Sequence, residues 1–334
     1  TEYRMQTAGR AADQAEILVQ AAELHERRGE DAARALSCLK RAFALVPDDR
    51  SVEKEIRRLG DELDDWESVV QAYRDTIAAL TPGSPHAAGL RFQQGAVLEN
   101  QLSDNQGALD AYARAAAIAP DRVEIAQPAI SIAASSGQWE RAVGLLVVCM
   151  RACGRLLPPL LETVEQIAEL SEWDSLARAM NAALSSEAIE PPELGRELWQ
   201  RLGTWHLQNR NDADAAEAAL LRAVAAQGGH APTLRMLADL QRRTPSRALV
   251  DSLLALSDLE ERNLDTLCEA ADVARQAAGD LELEMSILQR LYEVSVALLK
   301  RGAEAVGEQS ALVCVRRAVE RLVELHTEAL AHGR

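Results

Sequence analysis

Two stretches, ALSCLKRAFALVP (residues 35–47) and ALDAYARAAAIAP (residues 108–120), decide how this chain folds. Set side by side, Ala35, Leu39, Ala42 and Pro47 fall on Ala108, Tyr112, Ala115 and Pro120, each displaced by 73 residues. The same displacement carries Trp66 and Glu67 onto Trp139 and Glu140, and Val70 onto Val143. Self-similarity at a fixed period marks a chain built from one repeated supersecondary unit. Within each stretch the spacing is helical. Its alanines and the large residue between them share one face, and the proline lacks the N–H that would carry the helix on.

Working outward, each 73-residue unit holds two helix hairpins. The pattern predicts helices over 15–28, 31–46, 50–63, 66–80, 86–101, 104–119, 122–135 and 138–153. After Pro158 and Pro159 it predicts 160–171 and 173–184, then 193–208, 212–226, 231–242 and 245–257, and finally 263–278, 280–300 and 308–331. Trp66, Trp139 and Trp173 each open a second helix, where they are expected in the core between hairpins. Trp173 follows Trp139 by only 34 residues, so 159–184 is one extra hairpin between double-hairpin units at about 15–80, 88–153 and 193–258. Asp280, Leu288 and Leu291 repeat Asp104, Tyr112 and Ala115, but 280–300 runs long and lacks the terminating proline, as atypical array ends do. Residues 1–334 are thus expected to form a single continuous helical array with 263–331 as its end.

The motif Trp199-x2-Leu202-Gly203-x2-His206, followed by Ala216, Leu220 and Ala223, is similar to the first and second helices of a tetratricopeptide repeat (TPR). The hairpins starting near Val52 and Val123 lack that first-helix motif. The resemblance implies an all-α fold, a right-handed α-solenoid of stacked antiparallel helix hairpins. It implies that Gly203 lets the second helix approach closely, and that first helices line a concave groove. Carried onto this sequence, groove positions are Glu197, Gln200, Thr204 and Leu207, and around Gly95 they are Phe92, Ala96 and Glu99. The Lys/Asn/Arg set with which some members clamp a C-terminal carboxylate is missing from them. Trp199 and Trp205 are six residues apart, about 120° off one stripe, so Trp205 is expected at an exposed or inter-hairpin contact.

Composition agrees with helices and narrows the partners. Aromatics are 3% of the chain, and Gly and Pro fall mostly between periodic segments, so helix formers dominate. The net charge of −16 is shared evenly by the two halves, which disfavours nucleic acid and anionic membrane surfaces and favours basic segments of protein partners. No run is long and apolar enough for membrane insertion. Five dispersed cysteines (Cys38, Cys149, Cys153, Cys268 and Cys314) imply reduced thiols and a cytoplasmic protein, with Cys149 and Cys153 in the core rather than on a metal. A chain starting at Thr1 rather than Met is expected to be a piece of a longer protein. Arginine outnumbers lysine 33 to 3, as GC-rich bacterial coding would give.

Chemistry-bearing motifs are missing. There is no phosphate-cradling glycine loop, no H-E-x-x-H and no G-x-S-x-G elbow, and Glu162, Glu165 and Glu169 form a solvated helix face. The expectation is no catalysis, no cofactor and no metal. One further surface stands out: Asp258, Glu261, Asp265, Glu269 and Asp272 recur at three- and four-residue steps and share a helical face. A scaffold or adaptor binding a peptide or helical segment of a partner follows, with Asp265, Glu269 and Asp272 as a second candidate surface beside the groove. Two alternatives stand beside it: a recruiting array of a larger enzyme, and a structural protein that self-associates end to end.

Overall fold

The computed structural model describes residues 2–29, 31–170, 172–260, 263–300 and 305–331. Glu261, a member of the expected acidic face, lies outside them. Seventeen α-helices and no strand occur among the described residues, and the contacts divide the chain into two compact units, Thr1–Ala183 and Leu184–Arg334.

The first unit contains α1 (Glu2–Gly29), α2 (Ala32–Leu45), α3 (Arg50–Leu63), α4 (Trp66–Ala79), α5 (Pro85–Asn100), α6 (Asn105–Ile118), α7 (Val123–Ser135), α8 (Trp139–Cys153) and α9 (Pro158–Ala168). Helix α10 (Trp173–Ser186) carries the chain into the second unit, which contains α11 (Pro192–Gln208), α12 (Ala213–Ala226), α13 (Ala231–Gln241) and α14 (Arg247–Leu259). It ends in α15 (Leu264–Val273), α16 (Leu281–Lys300) and α17 (Ala305–Ala331). Two helices depart from the sequence expectation. Helix α1 begins at Glu2 rather than near residue 15, since nothing before residue 15 interrupts it except Gly9. The helix expected over 263–278 is α-helical only to Val273 and closes in a π-helical turn, Ala274–Ala278.

Short polar signals start the helices. The side chains of Asp31, Asp65, Asp104 and Asp212 each accept a hydrogen bond from the backbone N–H three residues on, at Arg34, Ser68, Gly107 and Ala215. Each satisfies a donor that the first helical turn leaves without a partner. Pro85, Pro158 and Pro192 occupy first-turn positions where a missing N–H is harmless. Pro47 and Pro120 follow α2 and α6 and stop them.

Helix pairs α1/α2, α3/α4, α5/α6 and α7/α8 pack as hairpins in the first unit, and α11/α12, α13/α14 and α16/α17 pack in the second. Their approach is set by small residues. A Cβ on Gly60 would lie 2.3 Å from Val69 Cγ2, and one on Gly95 would lie 2.7 Å from Tyr112 Cε1. At Gly203 the nearest atom, Leu220 Cγ, is 3.1 Å away. Ala22, Ala133, Ala168 and Ala238 occupy the corresponding places on α1, α7, α9 and α13, all buried, at steps of 35 or 38 residues from these glycines. The hairpins starting near Val52 and Val123 therefore keep the close-approach residue, Gly60 and Ala133, although they lack the tryptophan of the motif.

Four of the five tryptophans are core, whereas Trp173 is only half-buried and falls short of the core position expected for it. Trp66 and Trp139 are both buried, and Trp139 Nε1 donates to Glu172 at 2.6 Å. Trp205 is 2% exposed and belongs with the largest fully buried side chains, which rules out the exposed alternative expected for it and leaves the inter-hairpin one. Helix α11 packs against its hairpin partner α12, and its Gln200 bonds to Thr233 and Met236 of α13. Residues 120° apart, Trp199 and Trp205, are thus both enclosed.

Candidate protein-binding surfaces

The first-helix face of α5 is built around Tyr112. Its ring lies 5.3 Å from that of Phe92, and its hydroxyl donates to Glu99 at 2.8 Å. Burial, and then the hydrogen bond to Glu99, hold the Tyr112 hydroxyl well above its usual titration range. A like arrangement ties α4 to α3, where the buried Tyr73 hydroxyl donates to Glu53 at 2.7 Å. Phe92, Ala96 and Glu99 are all half-buried, which leaves part of each side chain facing solvent. Arg57 on α3 donates to Gln93 on α5 at 3.1 Å and links neighbouring first helices.

The corresponding face of α11 is polar. Glu197, Gln200, Thr204 and Leu207 are half-buried as well. Arg196 is 7% exposed and donates to Gln227, to Gln200 and to Glu197 at 2.9, 3.2 and 3.0 Å. Gln200 in turn accepts from Thr233 and reaches the sulfur of Met236, both on α13. Thr204 donates to the Gln200 carbonyl, and Leu207 packs against a small core of Ala216, Leu220, Leu237 and Leu240. Burial and the nearby Arg196 charge push the His230 imidazole below its ordinary value. These side chains are held in place before any partner arrives.

The acidic face has a different environment from the one its sequence suggests. Asp258 pairs with Arg290 of α16, and Glu269 receives two bonds from Arg242 at 2.6 and 2.9 Å. Asp272 receives two from Arg317 of α17, at 2.5 and 2.6 Å. Of the described residues in the face, Asp265 alone has no ion pair. Glu269 and Asp272 fasten α15 to its neighbours. Asp258 ends α14, and so does not share a helical face with Asp265, Glu269 and Asp272 as their spacing suggested. The paired arginines, 27 to 45 residues away in sequence, were invisible to a count along one helix.

Distance along the chain also hid a pair of thiols. Cys268 on α15 and Cys314 on α17 place their sulfurs 3.5 Å apart, and burial pushes the Cys268 thiol up to about 12. Burial, with the Cys153 charge next, pushes Cys149 up to about 11. Among the described residues no group of three or more His, Cys, Asp or Glu side chains could hold a metal ion, and no helix is long and apolar enough to cross a membrane.

Stacked helix hairpins joined by small residues, with a repeated half-exposed first-helix face, define an all-α, TPR-like array. Neither protein-family profiles nor curated proteins give a match to the sequence. Among solved structures, the Naa15/Naa10 complex bound to HypK-THB overlaps 95% of this chain at 12% identity with a TM-score of 0.33, and this chain spans about half (52%) of the chain it matches. The C-terminal part of a TPR repeat-containing protein from Cytophaga hutchinsonii overlaps 83% of this chain and 95% of its own at 10% identity, with a TM-score of 0.28. The TPR2AB domain of yeast Sti1, in complex with pHSP90, overlaps 84% of this chain and 98% of its own at 10% identity and a TM-score of 0.25. At TM-scores this low the likeness carries no weight, and the fold rests on the hairpins themselves.

Proposed function

We propose that this chain is a protein-interaction scaffold that binds a peptide or helical segment of a partner along its first-helix faces. One observation carries the reading. All seven positions, Phe92, Ala96 and Glu99 on α5 and Glu197, Gln200, Thr204 and Leu207 on α11, are half-exposed. Several of these side chains are already immobilised, by Tyr112 on one hairpin and by Arg196 and Thr233 on the other. A surface ordered in advance loses little entropy on binding. Spaced anchors on such a surface suit an extended or helical ligand. The net charge of −16 supports a partner with basic segments, with Asp265 the carboxylate of the acidic face that has no ion pair among the described residues.

The test is capture of partners from the native cell by the whole chain. Ala96→Lys with Glu197→Lys should abolish capture, while Ala117→Lys with Ala225→Lys, at exposed second-helix positions, should leave it intact. Equal capture by both variants contradicts the reading. A second reading, self-association, is favoured by Leu312, Val319 and Val323, which lie exposed on one side of α17. Solution mass that grows with concentration and reverts in Val319→Asp/Val323→Asp would support it.

A further inference from the structure

Helix α17 ends the second unit and is held there by more than its hairpin partner α16. It also packs on α15, where Ala311, Cys314 and Ala318 join an apolar cluster with Leu267 and Ala271. At this contact the sulfurs of Cys268 and Cys314 meet at 3.5 Å, and both are free thiols. About one turn further along each helix an ion pair fixes the same contact. Asp272, four residues after Cys268, receives two bonds from Arg317, three residues after Cys314.

Packing alone does not require two thiols here, since Ala270, Ala271, Ala311 and Ala318 already fill small places in the same cluster. The sulfurs are instead hydrogen-bond partners of each other. Cys314 is 6% exposed, whereas Cys268 is half-buried and keeps part of its surface in solvent. Burial, then Cys314, and lastly Asp265 hold the Cys268 thiol up at about 12, and Arg317 acts the other way. Thiolate is therefore scarce, and the pair stays reduced until an oxidant persists. No third His, Cys, Asp or Glu donor is grouped with them among the described residues, so a metal would find only two ligands. A bond between the sulfurs needs only about 1.5 Å of closure, to a disulfide length of about 2.05 Å.

We propose that Cys268 and Cys314 are a redox site, which a hydroperoxide converts into a disulfide joining α15 to α17. The Cys268 thiolate, on the more accessible side chain, attacks the peroxide O–O bond and becomes a sulfenic acid. The departing oxygen leaves as hydroxide and takes up a proton. Cys314 then attacks the Cys268 sulfur. The S–S bond forms, the S–O bond breaks, and the Cys314 proton leaves with the hydroxide as water. With hydrogen peroxide, the two thiols lose two electrons and two protons, and the peroxide becomes two waters. The product fastens α17, with its exposed Leu312, Val319 and Val323, to the body of the second unit. This site stands apart from the scaffold reading and needs no partner.

The test treats the reduced full chain with hydrogen peroxide, alkylates the thiols that remain, and identifies the digested peptides by mass. The expected product is one peptide pair joined through Cys268 and Cys314, lighter than the two thiol peptides by two hydrogens and separated by dithiothreitol. Amide hydrogen exchange in α17 should slow at least about tenfold on oxidation and recover on reduction. Cys314→Ala should show neither the crosslink nor the slower exchange. If that buried variant does not fold, Cys268→Ala, at the more exposed position, should give the same two results. Alkylated thiols at both positions, sulfinic or sulfonic acid without the crosslink, or a disulfide between chains overturns the proposal. So does a crosslink that leaves exchange in α17 unchanged.

Discussion

Helix pairs α5/α6 and α11/α12 occupy matching repeat positions and fill them with different chemistry. Both begin their second helix behind an aspartate cap, Asp104 or Asp212, and both bury alanines at its facing positions, Ala108 and Ala115 or Ala216 and Ala223. Both place a glycine where the helices come closest, Gly95 or Gly203. Elsewhere they diverge. Phe92 and Tyr112 become Gln200 and Leu220, Glu99 becomes Leu207, Val97 becomes Trp205, and Arg91 becomes Trp199. Caps and small contact residues are dictated by hairpin geometry. The half-exposed face is not, so it is free to differ in what it recognises.

The largest expected difference between the two pairs is in the core. Trp205→Ala should destabilise by about 3–5 kcal/mol, whereas Val97→Ala at the matching position removes two buried methyl groups and should lose about 2 kcal/mol. Denaturant midpoints of the two variants check this, and equal losses would mean that the two positions are not equivalent. The glycines should separate next. Alanine in a helix gains about 1 kcal/mol over glycine, but at Gly95 the added carbon collides with the Tyr112 ring, which Glu99 holds in place. Overpacking of that kind costs about 1–3 kcal/mol, so Gly95→Ala should be net destabilising. Gly203→Ala would place its Cβ 3.1 Å from Leu220 Cγ and 3.5 Å from the Ala216 carbonyl oxygen. That is a milder crowding, which a shift of a few tenths of an ångström relieves, and the variant should be close to neutral in the same thermal or denaturant assay.

Most of the fold was legible in the sequence because repeats restate their own constraints. Alanine spacing, terminating prolines and opening tryptophans located the helices from α2 to α14 to within a few residues. The misses have physical causes. The exposed alternative for Trp205 came from the angle between two residues on one helix, but a helix inside a stack is enclosed on more than one side. Arg242 and Arg317 compensate the acidic face from other helices, and Cys268 meets Cys314 across 46 residues of chain. The small-residue series Ala22, Gly60, Gly95, Ala133 could have extended the repeat through α3 and α7, where the tryptophan motif gave no guidance.

Two smaller effects sharpen the comparison. Tyr112→Phe should lose about 1 kcal/mol with the hydrogen bond to Glu99, a contact that Leu220 cannot make; an unchanged midpoint would show that the bond is exchanged for water without loss. His230 belongs to the α11 side alone. Its folded pKa lies below the ordinary value, so the unfolded chain binds more protons between the two, and stability should fall as pH drops from the ordinary histidine range toward the folded value. The effect is small because His230 is partly exposed, and it should vanish in His230→Gln.

The central claim, that partners bind along the first-helix faces, is tested most directly by position-resolved photo-crosslinking in the native cell. A photoreactive side chain would be placed singly at positions 96 and 197, on first helices, and at positions 117 and 225, on the exposed sides of second helices. The account predicts one common partner crosslinked from 96 and 197 and absent from 117 and 225. Crosslinking of that partner from 117 and 225 but not from 96 or 197 would place binding on the second helices and contradict it.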